Sequence, residues 1–167
     1  QLEGGFGVSF GYHGFDVNVF MQGASRVSFM IDPTASADWS SCSVGTAPFV
    51  GNHALLKAWA DNHWSETNRD CYALWPRLSD TSRPNNEQAS TWWLRDGSYL
   101  RLKTVEIGYT VPEKITKRVG LQQLRIYGSG MNLLSLNSFK IWDVEMGGSG
   151  LNYPIQRVIN LGLSLNF

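Results

Sequence analysis

Ile159-Asn160-Leu161-Gly162-Leu163-Ser164-Leu165-Asn166-Phe167 alternates without a fault between aliphatic or aromatic residues and small or polar ones. Successive side chains of a β-strand point to opposite faces, so this strand has one wholly apolar face and one of Asn, Gly and Ser. A soluble sandwich strand shares that period. A strand that closes the chain on an aromatic residue, with aliphatics on one side and Gly, Ser and Asn on the other, fits better in a transmembrane β-barrel. There lipid covers one face and a wet lumen the other. Barrel closure also pairs the last strand with the first, which removes the exposed edge.

The same period recurs upstream. Phe6, Val8, Phe10 and Tyr12 alternate with Gly7, Ser9, Gly11 and His13. After the His13-Gly14 turn signal, Phe15, Val17, Val19 and Met21 oppose Asp16, Asn18 and Gln22. Val105, Ile107, Tyr109 and Val111 oppose Thr104, Glu106, Gly108 and Thr110, whereas Leu100 and Leu102 have the other parity. That switch near Lys103-Thr104 predicts a β-bulge. Strands are therefore expected at 5–13, 15–28, 98–111, 122–135 and 156–167, as an all-β, antiparallel up-and-down meander. Phe6, Val8, Phe10, Val17, Val19, Ile107, Ile159, Leu161, Leu163 and Leu165 should share one bare face.

The connections alternate in length: short at 13–14, long at 29–97, short at 112–120 and intermediate at 136–154. A barrel with short periplasmic turns and long extracellular loops has this parity when the chain ends on the periplasmic side. The long stretch is rich in Ser, Asn, Asp, Pro and Trp, with a short helix expected over Ala54–Asp61. A loop of that length counts against a compact soluble domain. Five strands are too few to close a bacterial barrel, so the chain reads as the end of a larger one.

Composition narrows the function classes. The 14 basic and 14 acidic residues balance, which argues against a nucleic-acid partner and against a polybasic membrane-surface role. No apolar run is long enough for a transmembrane helix. Gln1 to Gly5 runs directly into a strand, as expected of a processed start or an internal piece.

At residues 91–167 the chain resembles the C-terminal end of SusC/RagA-type TonB-dependent outer-membrane transporters. The resemblance rests on Trp93-Leu94-Arg95-Asp96-Gly97-Ser98-Tyr99-Leu100-Arg101-Leu102-Lys103, then Ile107-Gly108-Tyr109-Thr110 and Pro112. It continues through Leu124-Arg125-Ile126-Tyr127, Asn132-Leu133-Leu134, Tyr153-Pro154, Arg157 and Gly162 to Phe167. Residues 1–90 fit in style, and Asp143-Val144-Glu145 departs from the family's Asp-Pro-Glu. The resemblance implies a plugged barrel of about 22 strands in the outer membrane of a Gram-negative, Bacteroidetes-like cell. It implies import of glycans, oligosaccharides or peptides, driven through TonB-ExbB-ExbD, with a SusD-like lipoprotein as partner. The plug domain and the remaining barrel strands are absent from these residues. A terminal aromatic residue, here Phe167, is part of the family's signal to the barrel-assembly machinery.

Candidate chemistry is sparse. Gly7-Val8-Ser9-Phe10-Gly11 matches the nucleophile-elbow pattern, which needs a strand, a sharp turn and a helix; here it lies inside an alternating strand. His13, His53 and His63 lack metal-motif spacing, no metal or other cofactor is called for, and no enzyme is expected. Cys42 and Cys71 allow a disulfide worth about 3 kcal/mol outside the cytoplasm, or two unpaired thiols. Trp39, Trp59, Trp64, Trp75, Trp92 and Trp93 are the ligand-contact candidates, because flat aromatic faces stack on sugars. Their alternative role is to pack the loop against itself or sit in an aromatic girdle. The competing functional reading is a soluble β-sandwich that binds carbohydrate through these tryptophans.

Overall fold

The computed structural model describes residues 1–33, 57–81, 83–148, 150 and 152–167, which form two compact units. The first comprises Gln1–Val27, Gly97–Ser138 and Ile155–Phe167; the second comprises Ser28–Asp96 and Phe139–Pro154. In chain order the strands are β1 (Leu2–Tyr12), β2 (Phe15–Ser25), β3 (Ser28–Met30), β4 (Leu94–Asp96), β5 (Tyr99–Thr110), β6 (Gln123–Asn137) and β7 (Val158–Asn166). Short helices lie at α1 (Lys57–Asp61), α2 (Pro84–Glu87) and α3 (Glu113–Thr116).

The first unit is one open antiparallel sheet of order β1-β2-β5-β6-β7. Each of the five expected strands pairs with the next, as a meander requires. Tyr12 pairs with Phe15 across a two-residue turn in which His13 (φ 47°) and Gly14 (φ 87°) both adopt positive φ. That is the type I′ geometry whose twist matches the flanking strands. A side chain at Gly14 would also strike the Thr110 carbonyl oxygen, 2.6 Å from the Cβ position.

The register is interrupted where the apolar parity switches. On β5, Thr104 pairs with Phe20 and Leu102 with Met21, leaving Lys103 unpaired. On β6, Met131 opposes Thr104 and Leu134 opposes Leu102, so Asn132 and Leu133 stand against Lys103 alone. Asn132 takes the left-handed conformation (φ 53°) that Asn tolerates better than most residues. Its amide donates to the Gln156 carbonyl at 3.1 Å. The bulge thus explains both the switch at Lys103-Thr104 and the Asn132-Leu133-Leu134 motif.

By register, the ten residues expected on one face do share it. Phe10 is 64% exposed and Leu161 is 89% exposed, while Val17 and Val19 are half-buried by their neighbours. Among the described residues no second sheet covers this face; the only other sheet is β3-β4, in the second unit. The opposite face carries Gly, Ser, Asn, Thr, Asp, Glu and Arg, and aromatic side chains crowd some of its glycines. Tyr127 occupies the space a Gly162 side chain would need, and Phe20 approaches the Cβ position of Gly5 to 2.9 Å. Aromatic cover of a strand glycine restores packing that the missing side chain leaves out.

The second unit gathers both longer connections. β3 and β4 pair over three residues each, and Phe29 packs edge-on against Phe139 with ring centroids 5.1 Å apart. The Asp32 amide donates to the Gly148 carbonyl at 3.0 Å, tying the long connection to the intermediate one. Strand two ends at Ser25 rather than 28 because Arg26 turns with φ 56°, after which β3 starts a separate pairing. Of the helix expected over Ala54–Asp61, Lys57–Asp61 is helical and 54–56 lie outside the described residues.

Candidate functional site

The tryptophans of the second unit divide into a core and a cleft. Segments 62–64 and 74–75 run side by side: Trp75 N donates to Asn62 O at 3.1 Å and Trp64 N donates to Trp75 O at 2.9 Å. The Asn62 side chain accepts from Leu74 N at 3.1 Å. Before them, α1 ends where the His63 imidazole lies with Nδ1 2.9 Å from the Ala60 carbonyl oxygen. These bonds bring Trp75 against Trp59, with rings stacked at 4.3 Å and 11°, and edge-on to Trp93 at 4.8 Å. Trp75 and Trp93 are each 1% exposed, so they are the packed centre of the unit. Trp93 Nε1 donates to Asn86 O at 3.2 Å, which seats α2 on that centre.

Arg95 on β4 locks the arrangement. Its guanidinium donates to the carbonyls of Leu74 and Leu94, each at 2.8 Å, and to that of Trp92. Burial pulls its pKa below the usual guanidinium value.

Trp64 and Trp92 are half-buried. They line a cleft of about 1100 Å³ together with Arg77, Arg83, Asn85 and Asn86. Arg77 pairs with Glu66 at 3.1 Å. The cleft therefore combines indole surface with amide and guanidinium donors, a combination suited to stacking a flat ring while hydrogen-bonding its periphery. Trp92 reaches a second, smaller cleft beside Cys71 and Tyr72. Of the six sequence candidates, Trp59, Trp75 and Trp93 come together as packing, Trp64 and Trp92 line the cleft with the buried Trp93 behind them, and Trp39 lies outside the described residues. Cys71 is exposed, and its candidate partner Cys42 also lies outside them.

Other candidates resolve in place. Ser9 sits inside β1 with no helix following, so the elbow geometry is not formed. Asp143 accepts from Glu145 N at 3.0 Å and caps a 3-10 turn at Val144–Met146. Among the described residues no three His, Cys, Asp or Glu side chains are grouped to hold a metal ion.

One constellation escaped the sequence. On the polar face of the sheet, Arg125 Nε donates to Asp16 at 3.2 Å while its Nη2 reaches the second Asp16 oxygen and Glu106 at 2.7 Å. The triad spans β2, β5 and β6, and its groups are only partly exposed. It lies over Gly108, where a Cβ would come within 2.5 Å of Arg125 Nη2 and 2.7 Å of Asp16. All three charges have the polar parity of adjacent strands, a signal that becomes readable only once register is known.

Two comparisons bear on what this assembly belongs to; no protein-family model matches the chain. TonB-dependent receptor P3 of Formosa agariphila is 30% identical over 179 aligned positions, covering 98% of this chain and 16% of that protein. TonB-dependent receptor P26 of the same organism is 33% identical over 88 positions, 45% of this chain and 9% of that protein. Over almost its whole length the chain is homologous to part of a TonB-dependent receptor. Its fold matches the RagAB peptide importer in the open-open state (TM-score 0.66, 22% identity) and the closed-closed state (0.65, 21%). Each match covers 99% of this chain and 17% of the other. The chain thus spans about one sixth of the length of the TonB-dependent receptor it matches over most of its length. The open sheet matches a fragment of a TonB-dependent barrel, and its bare apolar face argues against the soluble sandwich. The relatives are receptors and importers by name, not enzymes.

Proposed function

We propose that this chain is a wall-and-loop segment of a SusC/RagA-type outer-membrane importer for glycans, oligosaccharides or peptides. The carrying observation is the division of the sheet into a bare apolar face and a polar face bearing the Asp16–Arg125–Glu106 triad. In a bilayer the first faces lipid and the second the lumen. The triad is then a lumen-side clamp holding three strands in register. Kinship with Formosa receptors supports the outer membrane of a Bacteroidetes-like, Gram-negative cell.

In this reading the second unit is extracellular, and Trp64 and Trp92 offer stacking surfaces at its cleft. The full-length parent supplies the plug, the other strands, coupling to TonB-ExbB-ExbD and docking of a SusD-like lipoprotein. Phe167 belongs to the signal recognised by the barrel-assembly machinery. The test is uptake by cells in which the parent gene is deleted and restored. Accumulation of one of these oligomer classes should require the parent and stop when the proton-motive force is collapsed. Uptake that is indifferent to the deletion for all three classes would overturn the reading.

A further inference from the structure

At the end of the sheet that carries the two short connections, the apolar face finishes in an aromatic row. Tyr12 pairs with Phe15, and Phe15 with Tyr109, all of the same parity; Tyr109 then pairs with Ile126. The Phe15 and Tyr109 rings lie 4.5 Å apart. Tyr12 and Phe15 remain exposed, as does Phe167 at the end of β7. Aromatic side chains ringing a barrel mark the level of the lipid headgroups. The β5–β6 connection lies just beyond this row, because it joins the two strands whose ends form part of it.

That connection is short and cationic. Ile115 N donates to Pro112 O at 2.9 Å and Leu121 N to Thr116 O at 3.0 Å, closing α3 and the 3-10 turn after it. Thr116 is buried beneath. Lys114, Lys117 and Arg118 stand against a single acid, Glu113, which holds Lys117 at 2.7 Å. Lys114 and Arg118 are exposed and have no ion-pair partner among the described residues. Ile115 is 57% exposed, an apolar side chain presented to the outside next to two free cations. Cations beside apolar and aromatic residues at headgroup depth are the recognised complement of an anionic membrane surface.

We infer that the 112–122 connection is a binding site for the phosphate of anionic phospholipid headgroups, in the leaflet at the short-turn end. Lys114 and Arg118 contact the phosphate and Ile115 inserts among the acyl-chain tops. This rests on the barrel reading, since only an inserted barrel brings the connection to a headgroup layer.

The experiment uses the full-length parent, purified in detergent and titrated with phosphatidylglycerol or phosphatidylcholine under native mass spectrometry. Heat-modifiable mobility on gels reports barrel folding separately; an unfolded, lipid-indifferent parent would count against the barrel reading itself. For the folded protein, phosphatidylglycerol should bind more tightly than phosphatidylcholine, and salt should weaken that preference. Lys114→Gln and Arg118→Gln should each lower the preference about fivefold, while Lys114→Arg should retain it. Equal binding of the two lipids by the folded wild type, or a preference untouched by salt, overturns the proposal without recourse to any variant. Inorganic phosphate competing as strongly as phosphatidylglycerol would also overturn it, since the surface would then recognise a free anion.

Discussion

At the residue scale, position and not residue type separates the roles of the loop tryptophans. Trp75 is enclosed between Trp59 and Trp93, so Trp75→Ala opens a cavity in the centre of the second unit. Such a loss costs about 3–5 kcal/mol. Limited proteolysis of the full-length parent should show faster cleavage within 57–96 for this variant, with the sheet still protected. Trp64→Ala and Trp92→Ala remove cleft wall instead. Each should leave the proteolytic pattern unchanged and weaken binding of a transported oligomer by roughly threefold to tenfold, the worth of an aromatic contact. Calorimetry with the purified parent distinguishes the two classes. The glycines sort in the same manner. Gly162→Val collides with Tyr127, an overpacking cost of about 1–3 kcal/mol, whereas Gly4→Ala meets open space and should be neutral; denaturant titration of the full-length parent carrying each change checks both.

At the scale of elements, the long strands are legible because a period of two matches the pleat of a strand and no helix; it runs cleanly through β1 and β7 and over shorter stretches of β2, β5 and β6. Even the bulge at Lys103-Thr104 is written in the sequence as a change of parity. β3 and β4 are not legible: three residues each cannot display a period, and their pairing is held by contacts such as Phe29 on Phe139. The Asp16–Arg125–Glu106 triad is hidden for a related reason. Asp16 and Arg125 lie 109 positions apart, and only the strand register brings them together. The cleft depends on the docking of segments 62–64, 74–75 and α2, which no local pattern encodes. The α3 turn allows a test by pH. The Lys117 ammonium, through its hydrogen bond and its charge, holds the Glu113 carboxyl below its ordinary range. A depressed carboxylate contributes stability that is present above its unfolded pKa and lost as pH falls through the folded value. Nuclear magnetic resonance of the full-length parent should therefore find Glu113 titrating below an unpaired glutamate, and Lys117→Gln should return it to the ordinary range. With both residues exposed, the effect on overall stability should be slight.

At the scale of the whole molecule, the two faces of the sheet make opposite demands, and neighbouring positions on β7 test them directly. Leu161 and Asn160 are adjacent, both exposed and both near the middle of the strand, but they point to opposite faces. For a protein surrounded by water, an exposed leucine and an exposed asparagine are equally replaceable by arginine. In a bilayer they are not. An arginine on the lipid face near the midplane costs about 2–4 kcal/mol, falling towards zero near the interfaces, while a lumen position tolerates the charge. Leu161→Arg in the full-length parent should therefore lower the folding free energy in lipid vesicles by that order and reduce the amount assembled in the outer membrane. Asn160→Arg should leave both close to wild type, because its side chain enters the polar face alongside Ser129, its partner on β6. Measuring both variants by denaturant titration in vesicles separates loss of a strand contact from exposure to lipid, since the backbone pairing is common to the two. If both substitutions proved neutral, the apolar face would not be in contact with lipid, and the inside–outside assignment of the sheet would fall with it.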